Sequence, residues 1–330
     1  MKKELMFVLS LIFGILLLAY IIALVGLDKI IGIFEIFPFY RYLIIFAIYF
    51  LIYTFVLNRW SMIIKAFNYK VSFSKLFSIK NAEYAFSYIT PFSRLGGEPV
   101  MAYLFKKECG MKYRKGIAII VLNKVMDFSS GFILAFIGIM LFLFSHSQKL
   151  PQKTSIILII ALVFFSILFY LFYIKLAKRQ GFFSLIMRPF KGIFHKNIHN
   201  NILIVEKELH DFFDNRKKLV GALCISFMAN IMLLTNYYLL ALAFGVHLSI
   251  AQLLIIFSFT VLSYIFPIPG SLGSFEGSMA FAFSAIGLGA NLGVAFALIL
   301  RTFELIIIGI GLMFLSYYGI FKEGIRIQKV

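Results

Sequence analysis

Two stretches of this chain are as apolar as membrane spans but are cut in the middle by proline and glycine, with an acid beside each cut. The first reads Pro91-Phe92-Ser93-Arg94-Leu95-Gly96-Gly97-Glu98 and the second Pro269-Gly270-Ser271-Leu272-Gly273-Ser274-Phe275-Glu276, so proline, serine and glutamate recur at matching offsets 178 residues apart. Downstream of each motif, inside an unbroken apolar run, comes a base followed three positions later by an acid: Lys124 with Asp127, and Arg301 with Glu304. The spacing from the motif glutamate to the base agrees to within one residue. A charge at mid-bilayer costs roughly 2.5 to 3.5 kcal/mol on insertion scales, so a repeated set of charges marks a functional site. Two such sets imply a transporter-like site built from two halves.

Six other runs have the roughly 20 apolar residues needed for a full span: about 5 to 25, 39 to 58, 116 to 144, 154 to 174, 219 to 244 and 292 to 318. The broken regions, 81 to 105 and 250 to 289, hold four of the seven prolines. A half-helix of ten residues rises about 15 Å, half the hydrocarbon core, so each region fits a hairpin that enters and leaves on one side. The fold class expected is an all-α polytopic membrane protein with six spans and two re-entrant broken-helix hairpins. Its single integral domain divides into one half at about 1–174 and another at about 219–330, joined by a basic loop at 175–218 that lies along the membrane surface.

Basic residues orient this arrangement through the positive-inside rule. With the N-terminus in the cytoplasm, the inside segments 1–4, 59–80, 106–115, 175–218 and 319–330 carry 25 lysines and arginines, whereas the outside loops hold only Lys29, Lys149 and Lys153, with Arg41 at an edge. The asymmetry survives only if both broken regions return to their own side. One hairpin then enters from the cytoplasm and the other from outside, as in an inverted repeat. A multi-pass cell-membrane protein with both termini cytoplasmic is expected.

Irregular backbone at membrane depth is tolerated where it is buried in protein or lines a water-filled cavity, so the two breaks should meet inside the bundle. Pro91, Ser93, Gly96, Gly97, Pro267, Pro269, Gly270 and Gly273 are expected to line that cavity. Glu98-Pro99 reads as a helix start, with proline in its favoured first turn, and Ser274 as an N-cap for the arm carrying Glu276. Such helix starts favour anions, so the cavity suits a phosphate-bearing headgroup. Arg94, Glu98, Lys124, Asp127, Glu276, Arg301 and Glu304 are the candidate headgroup-binding residues. Each has a plainer reading: Arg94 snorkelling to the surface, the i,i+3 pairs tying helices together, the glutamates satisfying local N–H groups. Glu83, Asn230, Thr235 and Asn236 read as helix-packing glue.

The net charge of +18 does not point to nucleic acid, because the bases sit in short loops between apolar runs of a chain that is 62% hydrophobic with mean hydropathy +0.97. Anionic lipid is the expected partner. Cys109 and Cys224 imply no disulfide framework. His195 and His199 have metal-pair spacing but no third ligand at a suitable offset, so no metal and no cofactor is expected. No phosphate-binding G-x-x-x-x-G-K-[ST] motif occurs, and no polar stretch is long enough for a soluble catalytic domain, so an enzyme is not expected.

The Pro91–Glu98 motif with Lys124 and Asp127, followed by Pro267-Ile268-Pro269-Gly270-Ser271-Leu272-Gly273-Ser274-Phe275-Glu276 with Arg301, resembles the flippase-like family named after the transmembrane region of lysylphosphatidylglycerol synthase. The likeness covers nearly the whole chain; Phe92 stands where many relatives have glycine and Lys124 where arginine is common. In that family the multiple peptide resistance factors join this domain to a soluble aminoacyl-transfer domain, and the membrane part moves the lipid product between leaflets. Here the chain ends about twelve residues after its last expected span, so that soluble domain is expected to be absent. The resemblance implies a translocator of a polar lipid, lysyl-phosphatidylglycerol-like or polyprenyl-linked, with a glycosyltransferase or lipid-synthesis enzyme as a possible partner. A membrane-bound lipid transferase, with Glu98 or Asp127 as general base, and a scaffold for a glycosyltransferase are the alternatives.

Overall fold

The computed structural model describes residues 39–90, 96–146, 152–179 and 196–319, so the expected first span at 5 to 25 and the residues Pro91, Ser93 and Arg94 lie outside the described residues. All regular structure described is helical: α1 Phe39–Ala66, α2 Phe73–Ile89, α3 Glu98–Cys109, α4 Tyr113–His146, α5 Gln152–Ala177, α6 Lys196–Asp214, α7 Arg216–Ala243, α8 Ile250–Ser263, α9 Ser274–Ala285 and α10 Ala290–Tyr317. Five of them (α1, α4, α5, α7 and α10) are long and apolar enough to cross a membrane. Large apolar side chains on their outer faces, such as Ile160, Phe164 and Ile167 of α5, are exposed, as a lipid-bathed surface requires. The chain is a polytopic membrane protein.

Capping residues set several of the boundaries. Ser72 accepts from the Lys75 N–H at the start of α2, Asn215 from the Lys218 N–H at the start of α7, and Ser249 with Gln252 forms a capping box on α8. Gly110 ends α3 in the left-handed conformation, φ 63°. Two boundaries differ from the sequence expectation. The stretch 59–80, expected as a cytoplasmic segment, is mostly helix: α1 runs on to Ala66 and α2 begins at Phe73, so Arg59 and Lys80 sit on packed helices rather than on a loop. The described part of the 175–218 loop holds α6, whose Val205, Leu209 and Phe212 recur at helical spacing and are buried against the bundle.

Each broken region folds as two short helices packed on one another, α2 with α3 and α8 with α9. At 12 to 17 residues they reach about 18 to 25 Å, less than the roughly 30 Å hydrocarbon core. A serine pins each break. The Gly97 N–H donates to Ser87 Oγ at 2.9 Å in the first, and Ser274 Oγ donates to the Ser263 carbonyl at 3.2 Å in the second.

The helix contacts exchange in pairs. α2 packs on α10 and α8 on α4; α3 packs on α4 and α9 on α10; α1 packs on α7. Two apolar cores result. One gathers α2 and α3 with Leu57 and Trp60 late in α1, Ile119 early in α4, Ala222 early in α7 and Leu315 late in α10. The other gathers α8 and α9 with Ile45 early in α1, Phe142 late in α4, Leu240 late in α7 and Phe296 early in α10. The hairpins are therefore buried at opposite ends of the same four long helices.

Candidate functional site

Each hairpin presents its glutamate at the start of its second arm, and each glutamate meets a base on the long helix that follows. Glu98, at the first position of α3, lies 2.6 Å from Lys124 of α4; Glu276, in the first turn of α9, lies 2.7 Å from Arg301 of α10. The sequence repeat thus reappears as two equivalent ion pairs. They differ in cover: the Arg301 and Glu276 side chains are 8% and 0% exposed, those of Lys124 and Glu98 31% and 19%.

Arg301 is held on every side. Its Nε and Nη2 both donate to Glu276 Oε1, at 2.9 and 2.7 Å. Nη1 donates to the Tyr88 hydroxyl at 2.9 Å and to the Gly270 carbonyl at 2.5 Å, and lies 3.4 Å from Glu304 Oε2; Nη2 reaches the Ser271 carbonyl at 3.3 Å. A rigid guanidinium fork suits this divergent set of acceptors, and a lysine would not fill it. Because Tyr88 belongs to α2, Arg301 joins the tips of both hairpins. Gly270 is required there: its φ is +58°, and a β-carbon would lie 2.5 Å from the Tyr88 ring.

The meeting of the two breaks leaves room for about one water, a void of about 10 Å³ lined in part by Tyr84, Tyr88, Gly270 and Glu304. The expected central cavity able to take a headgroup is therefore closed at this junction. The anion at the second helix start is the protein's own, since Glu276 Oε2 accepts from the Gly273 N–H at 2.8 Å. Gly273, not Ser274, is the N-cap of α9. Pro269, Gly270 and Gly273 are buried at the break, whereas Pro267 is exposed. Gly97 packs so closely on α2 that a β-carbon would fall 2.2 Å from the Glu83 carbonyl, and Gly96 would meet Thr90 in the same way.

The large cavity lies to one side, between α3, α4 and α5. It measures about 730 Å³ and is walled by apolar residues such as Ile117, Val121, Phe128 and Phe169, with Glu98 and Lys124 on its wall.

Around the first hairpin stands a second set of charges, of which the sequence reading singled out Asp127 as a site residue but not Arg59, Lys80 or Glu83. Arg59 of α1 is 1% exposed and ties its helix to α4 and α7: Nε donates to Asn123 Oδ1 at 3.2 Å, and Nη1 to Asp127 Oδ1 at 2.5 Å and to Ser226 Oγ at 2.7 Å. Lys80 pairs with the buried Glu83, which also accepts from Ser87 Oγ at 3.1 Å, and the Lys80 ammonium stands 5.1 Å from the Trp60 ring centroid. Both bases adjoin the ends of apolar runs, which is why they were counted among the loop charges. The partner of Asp127 is thus Arg59, 68 positions away, and Glu304 remains within reach of Arg301 on its own helix, with Tyr84 Oη 3.4 Å from its other oxygen. Among the described residues no three His, Cys, Asp or Glu side chains are placed to hold a metal ion.

A family profile described as the lysylphosphatidylglycerol synthase TM region matches residues 7–311. Two UPF0104 membrane proteins of Methanothermobacter thermautotrophicus are 26% identical, one over 275 residues covering 79% of this chain and 80% of the relative, the other over 276 residues covering 79% and 78%. A UPF0104 membrane protein of Methanocaldococcus jannaschii is 25% identical over 312 residues, covering 91% of this chain and 90% of the relative. No solved structure matches.

Proposed function

The chain belongs to the family of the lysylphosphatidylglycerol synthase TM region, and on that premise we propose that it is a flippase-like translocator that moves a polar, phosphate-bearing lipid between leaflets. The observation that carries the reading is the contrast between two equivalent ion pairs on hairpins buried at opposite ends of the bundle, one partly exposed through Lys124 and one sealed. Alternating access needs a duplicated gate of which one copy is open while the other is closed. In this reading the halves 1–174 and 219–330 form an inverted repeat, both hairpins are re-entrant, and six spans cross the cell membrane with both termini cytoplasmic.

The chemistry follows from the partly exposed pair. An ion pair that faces an apolar cavity has little solvation to lose, so a lipid headgroup can exchange partners with it at low cost: phosphate for Lys124, an amine for Glu98. The sealed pair is the closed gate of the state described here. Arg59 with Asp127 and Lys80 with Glu83 hold the first hairpin's surroundings while its pair changes partners.

The test is leaflet-resolved lipid movement in liposomes containing purified protein. Labelled phosphatidylglycerol, lysyl-phosphatidylglycerol and a polyprenyl phosphate are compared side by side. Selective movement of one lipid, lost in Lys124→Gln while thermal stability is kept, is the expected result. Covalently altered lipid after incubation would replace this reading with a transferase, and absence of movement for all three would remove it.

A further inference from the structure

We infer that the cavity between α3, α4 and α5 is a berth for the hydrocarbon chain of a phosphate-bearing lipid, with the headgroup drawn to Lys124 part of the way along it. The berth is needed by a translocator and by a transferase alike, so it does not depend on transport.

Its shape comes from one face of α4. Tyr113, Ile117, Ile120, Val121, Lys124, Val125 and Phe128 line the cavity, at the three- and four-residue spacing of a single helical stripe. From Tyr113 to Phe128 that stripe is about 22 Å long, more than the roughly 15 Å of hydrocarbon in one leaflet. Lys124 stands about 16 Å from the Tyr113 end, so with Tyr113 at an interface the ammonium falls near the bilayer midplane. A volume of about 730 Å³ is in the range of pockets that hold organic ligands.

The far wall, α5, is the least buried of the five described spans. No residue in the apolar core of α5 is buried, and the helix packs chiefly on α4, through the Phe132–Phe169 ring stack at 4.7 Å and a 2.5 Å hydrogen bond between Ser129 and Tyr173. A chain can thus reach the cavity sideways from the bilayer along α5. Lipid-facing surfaces exclude charge, yet this apolar wall carries Glu98 and Lys124, which separates it from a seam filled by any neighbouring lipid. The equivalent pair in the second half, Glu276 with Arg301, is sealed.

The experiment is photolabelling of the purified chain in nanodiscs. The probe is phosphatidylglycerol carrying a diazirine in one acyl chain, with a diacylglycerol carrying the same chain but no phosphate as control. Tandem mass spectrometry should place the phosphatidylglycerol adducts at 117–128 and 165–172 at least fivefold above the outer face of α7, and the control should lose that enrichment. Val121→Trp, which fills the cavity, should abolish it, and Lys124→Gln should reduce it to the level of the control. Even labelling of all outward-facing helices would overturn the berth, as would enrichment that both variants retain. A polyprenyl phosphate diazirine run in parallel reports which kind of chain is preferred; enrichment by either supports the berth.

Discussion

At the scale of single residues, Arg59 is the side chain whose loss should be felt most widely. Its guanidinium bonds Asn123 and Asp127 of α4 and Ser226 of α7 from a buried position on α1. Arg59→Ala leaves three polar groups without their donor, and breaking such a pair costs about 3 kcal/mol. Thermal unfolding in detergent should show a large drop for Arg59→Ala. A smaller one is expected for Asp127→Asn, because the Asp127 side chain is half exposed and keeps a hydrogen-bonding group. An equal loss in both variants would mean that the ion pair alone, and not the three-helix tie, supports the fold. The charges at the middle of apolar runs were legible in the sequence because nothing but function or a partner explains a charge there. Arg59 and Lys80 were not, because a base at the end of an apolar run looks the same whether it snorkels to the surface or turns inward.

At the scale of elements, close backbone contact between α2 and α10 fixes where the first hairpin sits. Gly311 makes this possible: a β-carbon there would lie 2.3 Å from the Asn81 carbonyl, whereas one at Gly309 of the same helix would meet nothing within 4 Å. Small residues at such crossings let membrane helices pack without a hydrophobic driving force. Gly311→Val should destabilise by about 1 to 3 kcal/mol through overpacking, and Gly309→Val by little, since both carry the same helix-propensity change. Equal melting temperatures for the two variants would show that α2 and α10 can separate without cost. Gly138 plays the matching part between α4 and α8, where a β-carbon would fall 2.1 Å from the Leu254 carbonyl. The breaks at 90–98 and 264–273 were legible because proline and glycine clusters punctuate helices. The helix α6 was hidden by its mixed charge, although the spacing of Val205, Leu209 and Phe212 was there to be read.

At the scale of the whole molecule, the two cores at opposite ends of α1, α4, α7 and α10 give a labelling test. In a variant lacking Cys109 and Cys224, Lys107→Cys and Lys217→Cys should react with an impermeant maleimide from one side of the membrane, and His247→Cys from the other. All three positions are exposed; the first two stand at the end that holds α2 and α3, the third at the end that holds α8 and α9. Labelling of all three from one side would end the inverted arrangement. The sequence by itself determined that the chain is a helical membrane protein, where its apolar runs break, and which charges recur in each half, because these depend on local composition and spacing. Tertiary structure alone decided which charge meets which. Partners such as Arg59 with Asp127, or Tyr88 with Arg301, lie 68 and 213 positions apart and are brought together by helix packing. It also decided that one of two matching ion pairs is sealed and the other partly exposed, since burial depends on which helices close around each pair and the two halves have different neighbours.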